Sequence, residues 1–336
     1  MEMESIIVTK CEELIEKALS FGASDIHLVP SSHNFTILLR KYNKLYQNGD
    51  LPIDLVLRMI TYFKFLSALD ISEKRKPQSG SFQKDFAEAI YAFRISTLPS
   101  YKGKESLVIR ILKQNATLPL HSLCFDPTAA QKIEQLIHQQ QGLLLFTGAT
   151  GSGKTTSLYS LVHYCCMELN RHVISLEDPV EKSNDQVLQI QVNERAGVTY
   201  SEGLRAILRH SPDVIMIGEI RDRETAEIAI QASLTGHLVL SSIHAKDTVN
   251  CLYRLIDLGI SIEELRQSVI GIIAQSLIEI PELDERKAIF EILSDSHLFD
   301  AIKAVMQGDI YALNFERTLE SQMYSLEGLR YAPSYK

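Results

Sequence analysis

The sequence predicts an α/β protein in which a parallel sheet alternates with helices, preceded by a small α+β domain and followed by C-terminal helices. Short aliphatic strands recur between helical segments, as in βαβ units, at residues 143–147, 172–176, 214–218 and 237–243. A glycine-rich segment, 148–155, follows the first of these strands and precedes a helical pattern. Helical and strand patterns before residue 113 predict the α+β domain.

Changes of pattern along the chain place the domain boundaries. Residues 1–112 form the α+β domain, and residues 113–127, which hold Asn and Pro without sustained periodicity, form a linker. Residues 128–250 form the parallel-sheet domain. We expect residues 251–336 to be a helical subdomain, with the apolar run 268–280 in its core.

Composition excludes several classes of protein. The 336 residues are 45% hydrophobic and 23% charged, as in ordinary globular proteins. The net charge of −8 argues against direct nucleic-acid binding through phosphate neutralisation. No run of 18 apolar residues predicts a membrane span, and the acidic N-terminus does not resemble a signal peptide, so we expect a cytoplasmic location. The five cysteines show no metal-binding spacing, and Cys165 and Cys166 fall on an apolar helical stripe typical of core residues.

The segment 148–155, GATGSGKT, has the spacing of a phosphate-binding loop between a strand and a helix. Its backbone N–H groups and the start of the helix favour a polyphosphate, which predicts ATP as the ligand. Lys154 is predicted to reach the β- and γ-phosphates, and the Thr155 hydroxyl to bind Mg²⁺. The alternative is a plain glycine-rich turn. The predicted nucleotide-binding residues are Gly148, Ala149, Thr150, Gly151, Ser152, Gly153, Lys154, Thr155 and Thr156.

The other strands of the predicted sheet also deliver polar residues at their ends. In open α/β sheets the ligand lies at the carboxyl ends of the strands, so these side chains should converge. Glu219 is placed to orient or deprotonate a water that attacks the γ-phosphate, and Glu177 is predicted to act in catalysis and near Mg²⁺. His237 and His244 flank one strand and are predicted to sense the γ-phosphate. The alternative roles are helix capping for the carboxylates and structural hydrogen bonding for the histidines.

Arg94 and Arg110 lie on consecutive strands, each opposite the apolar face of its strand. Antiparallel pairing of these strands would bring the two guanidinium groups together. Because like charges repel, an anion should neutralise them, and the candidates are a carboxylate such as Glu105 or a phosphate of the nucleotide.

Several motifs resemble those of the secretion ATPases of type II secretion, type IV pili and competence pseudopili, and they occur along the chain in the order found in that family. ASDIH and KPQSGSF resemble the N-terminal domain of that family, and the strands that carry Arg94 and Arg110 resemble the pair that presents two arginines to the nucleotide. The further matches are ISLEDPVE, similar to the aspartate box, GEIRD, similar to the Walker B signature, and TGHLVLSSIHAKD, similar to the histidine box. The resemblance implies a RecA-like phosphate-loop ATPase domain behind a small PAS-like domain.

The same resemblance implies a hexameric motor at the inner face of the cell membrane that hydrolyses ATP and moves pilin-like subunits through a polytopic membrane platform protein. The zinc loop of larger family members requires cysteines that residues 280–288 lack, so no zinc is expected. The short chain is most similar to the competence-type assembly ATPases. The alternatives are a conjugative type IV secretion motor, a pilus-retraction motor, and a regulatory protein that binds nucleotide and hydrolyses little.

Overall fold

The computed structural model describes residues 2–42, 44–86, 89–101, 103–114, 117–280, 285–309, 311 and 318–323. Within it the chain divides into two compact units, Met1–Ala116 and Thr117–Lys336.

The first unit contains a six-stranded antiparallel sheet with the strand order β3-β2-β1-β6-β5-β4. Alternation explains its core, because Phe35, Ile37 and Leu39 of one strand are buried while the residues between them lie on the other face. Two amphipathic helices supply the remaining core residues, such as Cys11 and Phe63. The elements are α1 (Glu2–Phe21), β1 (Asp25–Pro30), β2 (Asn34–Lys41), β3 (Lys44–Pro52), α2 (Ile53–Leu66), β4 (Gln78–Phe86), β5 (Ala89–Pro99) and β6 (Glu105–Lys113).

The second unit is an α/β domain whose seven-stranded sheet has the order β13-β12-β7-β11-β10-β8-β9. All neighbours are parallel except β12 and β13. The elements are α3 (Leu120–Leu123), α4 (Pro127–Leu136), β7 (Gly142–Thr147), α5 (Lys154–Met167), β8 (Val173–Glu177), β9 (Leu188–Gln191), α6 (Tyr200–Ile207), β10 (Val214–Ile217), α7 (Arg223–Leu234), β11 (Leu238–Ile243), α8 (Thr248–Asp257), α9 (Ile262–Ser268), β12 (Val269–Ile280), β13 (Glu285–Ser294) and α10 (Asp295–Gln307).

Helices cover both faces of this sheet. In β7, Leu143 and Leu145 face one hydrophobic cluster, and Leu144 and Phe146 face the other. Every residue of β7 is therefore buried, which explains why the strand is a continuous apolar run rather than an alternating one. Within the described residues, no helix has the length and apolar character that would let it cross a membrane.

The C-terminal part differs from the expectation that the chain is helical after residue 250. The helices α8, α9 and α10 are present, but β12 and β13 form a hairpin that joins the sheet, with β12 parallel to β7. The central part of β12 is buried between two strands and two layers of helices, so its sequence shows no alternation that would distinguish it from a buried helix. Residues 281–284, within the segment considered for zinc, lie outside the described residues.

Candidate nucleotide-binding site

The phosphate loop lies between the carboxyl end of β7 and the start of α5, as predicted. Gly148 and Gly153 have φ of +136° and +88°, values that residues with a side chain rarely adopt. A Cβ at Gly148 would lie 2.5 Å from the carbonyl oxygen of Gln275, and one at Gly153 would lie 2.8 Å from Gln275 Nε2. No side chain caps α5, so its first N–H groups remain available to an anion. The loop therefore fits a phosphate.

Lys154 is buried at the first turn of α5. Its Nζ donates hydrogen bonds to the carbonyl oxygens of Gly148 at 2.8 Å and Ala149 at 3.0 Å. Burial lowers the pKa of Lys154, and the negative charge of Glu219 raises it in part. Among the described residues we find no ion pair to Lys154, so a phosphate would supply the compensating charge.

The remaining predicted loop residues present backbone and hydroxyl groups. Ala149, Thr150 and Gly151 are exposed, and Ser152 is buried with no hydrogen-bond partner for its Oγ in the described part of the chain. Thr155 is half-buried and Thr156 exposed on the first turn of α5. No group of three metal-binding side chains occurs among the described residues. The Thr155 hydroxyl is the loop group that would hold a Mg²⁺ ion together with nucleotide oxygens. When bound, Mg²⁺ neutralises phosphate charge.

Glu219 follows β10 at the same edge of the sheet and is only 16% exposed. Its Oε2 lies 3.2 Å from His244 Nε2, and its Oε1 accepts a hydrogen bond from Arg221 Nε. Arg221 also lies 3.6 Å from Asp178, through Nη1 and Oδ2. This arrangement brings Glu219 and His244 together, as the sequence predicts, and leaves part of the carboxylate open to solvent.

Hydroxyl groups fix the strand ends that carry these residues. Thr147 Oγ1 donates to the Ala245 carbonyl and accepts from the Ala245 N–H, both at 2.9 Å. Ser242 Oγ donates to the Gly218 carbonyl at 2.8 Å. The first pair of bonds holds Ala245, next to His244, against the end of β7, and the last bond holds Gly218, next to Glu219, against β11. These hydrogen bonds cannot be recognised from the sequence, because a hydroxyl in an apolar strand gives no periodic signal.

Glu177 occupies a different environment from the one expected for a catalytic or metal-binding carboxylate. The residue is 2% exposed. Its Oε1 accepts hydrogen bonds from Ser175 Oγ at 2.7 Å and Gln189 Nε2 at 3.2 Å, and its Oε2 accepts one from the Tyr159 hydroxyl. Burial raises the pKa of Tyr159, which keeps the phenol protonated as a donor. Because both oxygens are enclosed and hydrogen-bonded, the structure favours a positioning role for Glu177.

His237 does not lie beside the phosphate loop of its own chain. It precedes β11, whose first residue, Leu238, pairs with Gly142 at the amino end of β7. His244 follows the other end of β11, roughly 20 Å away at about 3.3 Å per residue. His237 Nδ1 lies 3.1 Å from the Ala232 carbonyl, as expected for a structural histidine. The two histidines therefore flank one strand as predicted, but within one chain only His244 lies beside Glu219, and the role of His237 as a γ-phosphate sensor stays a prediction.

The first unit carries a row of charged residues on the sheet face opposite its helices. Arg94 and Arg110 are directly opposite in the β5–β6 pair, which confirms the predicted antiparallel neighbours. Arg110 Nε donates to Asp25 Oδ1 at 2.9 Å, and Arg40 is opposite Asp25 on the next strand. Glu105, the carboxylate considered as a partner for the arginines, instead forms a buried pair with Lys64 at 2.7 Å.

Comparisons with known proteins show which family the chain is similar to. The family model described as "Type II/IV secretion system protein" matches residues 1–307. The chain is 48% identical to "Competence protein ComGA" of Bacillus subtilis over 269 residues, which are 80% of this chain and 75% of that protein. It is 40% identical to "Type II secretion system ATPase E" of Vibrio cholerae over 281 residues, 82% of this chain and 55% of that longer protein.

A solved structure shows the same architecture. The structure titled "Crystal Structure of the Pilus Retraction Motor PilT and Bound ADP" superimposes with a TM-score of 0.71 and 27% identity, covering 94% of this chain and 92% of that one. The phosphate loop at the end of β7 and the carboxylate at the end of β10 thus stand in a fold shared with an ADP-binding protein. The relatives of the chain include a competence protein and a type II secretion system ATPase. The chain therefore belongs to the type II/IV secretion system protein family, and it is a phosphate-loop ATP hydrolase.

Proposed function

We propose that the protein is a hexameric, cytoplasmic ATPase that drives assembly of a competence or type IV-like pseudopilus. The observation that carries the chemistry is the placement of Glu219 and His244, 3.2 Å apart, at the sheet edge where the Lys154 loop begins. The 48% identity to a competence protein supports the cargo system. The presence of Lys154, Thr155 and Glu219 argues against the regulatory alternative, a nucleotide binder that hydrolyses little, and a steady-state ATPase assay on the purified protein tests it.

In the proposed reaction, the amides of the phosphate loop and Lys154 bind the β- and γ-phosphates of ATP, and Thr155 holds Mg²⁺. Glu219 orients the attacking water or takes its proton, because its carboxylate is partly open and close to the loop. His244 contacts the same carboxylate, so it is suited to report whether the γ-phosphate is present.

The test of this chemistry compares Glu219→Gln with Lys154→Ala in steady-state hydrolysis and in ATP binding. Glu219→Gln should retain ATP binding and lose about 10²- to 10⁴-fold in turnover. Lys154→Ala should weaken ATP binding and lower turnover. Near-normal turnover in Glu219→Gln would remove Glu219 from the chemistry.

We also propose that Arg94 and Arg110 bind the γ-phosphate in the ATP state. The two guanidinium groups are directly opposite on neighbouring strands, and their five-donor planar shape suits bidentate contact with phosphate, for which Arg110 would exchange Asp25. Since Arg94 and Arg110 belong to the first unit, their contact with the γ-phosphate would couple hydrolysis to movement of that unit relative to the second.

In the proposed ring of six subunits, that movement would be transmitted to the neighbouring subunits. Light scattering at micromolar protein, with a non-hydrolysable ATP analogue, should give the mass of a hexamer. A persistent monomer under these conditions would contradict the motor. The proposed partners are other copies of this chain, a polytopic membrane platform protein at the inner face of the cell membrane and, indirectly, pilin-like subunits, without direct binding to nucleic acid.

A second candidate is pilus retraction, because the structure of a retraction motor superimposes over most of the chain. The two functions predict opposite phenotypes. Cells without an assembly motor lack surface filaments, whereas cells without a retraction motor accumulate them. Electron microscopy of a deletion strain distinguishes the two.

A further inference from the structure

The side chain of Gln275 is buried against the phosphate loop. It lies on β12, is 2% exposed, and its Nε2 donates a 2.8 Å hydrogen bond to the carbonyl of Ser152, 123 residues earlier. Ala274 pairs with Thr147, the last residue of β7, so Gln275 is placed beside the first glycine of the loop. The strand next to β7 thus contributes directly to the site that β7 leads into.

This hydrogen bond fixes the direction of one peptide group in the loop. In a trans peptide the carbonyl and the following N–H point in opposite directions. With the Ser152 carbonyl held by Gln275, the N–H of Gly153 points away from β12. Gly153 is one of the residues whose N–H is expected to face the phosphate. Loss of the bond would allow this peptide to rotate.

The backbone of Gln275 contacts the other end of the loop. Its carbonyl oxygen lies 2.5 Å from the position that a Cβ on Gly148 would take, and its Nε2 lies 2.8 Å from the same position on Gly153. Both glycines that shape the loop therefore rest on a single residue. The opposite end of the amide, Oε1, is buried and has no hydrogen-bond partner in the described part of the chain. As a core residue, Gln275 is consequently less favourable than an apolar side chain of its size.

We propose that Gln275 is a positioning residue that holds the phosphate loop in its nucleotide-binding shape. The proposal rests on the proposed nucleotide-binding function and extends it to a residue outside the loop. Gln275 acts on the nucleotide through Ser152 and Gly153. Its removal should therefore weaken the ground-state binding of ATP and ADP alike and raise KM more than it lowers kcat.

The test is calorimetric titration of the full chain with ADP in the presence of Mg²⁺. Gln275→Met keeps the volume and removes the donor, and Gln275→Glu replaces the amide with a carboxylate that cannot donate when ionised. Each should bind ADP about tenfold more weakly or worse, because the buried Ser152 carbonyl loses its partner. In steady-state assays KM for ATP should rise by the same factor, with kcat within about threefold of wild type.

Ser268→Ala is the matched control. It removes another buried hydrogen bond, 2.7 Å from Ser268 Oγ to the Glu264 carbonyl, directly before the distant end of β12. This variant should keep wild-type ADP affinity. Wild-type affinity in a folded Gln275→Met would overturn the proposal, and so would an equal loss in Ser268→Ala. If wild type itself binds no ADP, the proposed nucleotide site fails before the role of Gln275 is reached.

Discussion

Replacement of Tyr159 by Phe should destabilise the second unit without removing its catalytic groups. The Tyr159 hydroxyl donates to the buried carboxylate of Glu177 and accepts the backbone N–H groups of Glu181 and Lys182, both at 3.3 Å. It thereby ties the helix that follows the phosphate loop to the segment after β8. The phenol is 6% exposed, so water would not readily replace these bonds.

The magnitude follows from the bond to Glu177. A hydrogen bond to a charged group contributes about 1.5–3 kcal/mol, and the two long amide contacts add little. We therefore expect Tyr159→Phe to lower the free energy of unfolding by about 2–3 kcal/mol. For a unit of this size, that loss corresponds to a fall in Tm of roughly 4–12 °C.

The assay is differential scanning calorimetry of the full chain, in which the transition of the second unit is the one that ADP raises. Tyr164→Phe is the matched control on the same helix, since among the described residues its hydroxyl contacts only the exposed His138, at 3.3 Å. It should change stability by less than about 0.5 kcal/mol. Equal Tm values for the two variants would refute the reasoning. A hundredfold loss of turnover in Tyr159→Phe with an unchanged Tm would restore a direct catalytic role to Glu177.

Three further outcomes are expected. Arg94→Ala and Arg110→Ala should each abolish most ATP hydrolysis and leave ADP affinity nearly unchanged, whereas an equal loss of ATP and ADP affinity would make these arginines structural. Asp25→Asn removes the carboxylate that pairs with Arg110. The affinity for a non-hydrolysable ATP analogue, measured by titration, should therefore rise about two- to fivefold relative to the affinity for ADP. An unchanged ratio of the two affinities would count against competition between Asp25 and phosphate. Burial raises the pKa of Cys11 from its ordinary 9.0 to about 12, so its thiol stabilises the first unit fully below pH 9 and loses this contribution as the pH rises to 12. The free energy of unfolding, measured with urea at several pH values in this range, should fall with pH about 1.4 kcal/mol per pH unit less steeply in Cys11→Ala than in wild type. The same pH dependence in both proteins would contradict the assignment.

The parts of the site that depend on local pattern could be predicted from the sequence. The loop at Lys154 is defined by glycine spacing between a strand and a helix, and Glu219 by its place after an apolar strand. The pairing of Arg94 with Arg110 followed from alternation on consecutive strands. In each case the residues that decide the structure are neighbours in sequence or share one simple period.

The parts that depend on which strands are neighbours could not be predicted. β12 is apolar throughout its centre, so periodicity does not distinguish it from a helix, and the contact of Gln275 with the loop was hidden with it. The enclosure of Glu177 depends on Tyr159 and Gln189, which come from a helix and an edge strand.

The insertion of β12 beside β7 determines when a newly made chain can first bind its ligand with full affinity. The ribosome completes the phosphate loop early and must add 123 further residues before Gln275 follows Ser152. At about 5–20 residues per second this takes roughly 6–25 s, during which the nascent chain has the loop sequence without the strand that supports it. By the proposed role of Gln275, a nucleotide binds the loop more weakly during this interval, and its full stabilising effect on the unit begins once β12 has paired with β7.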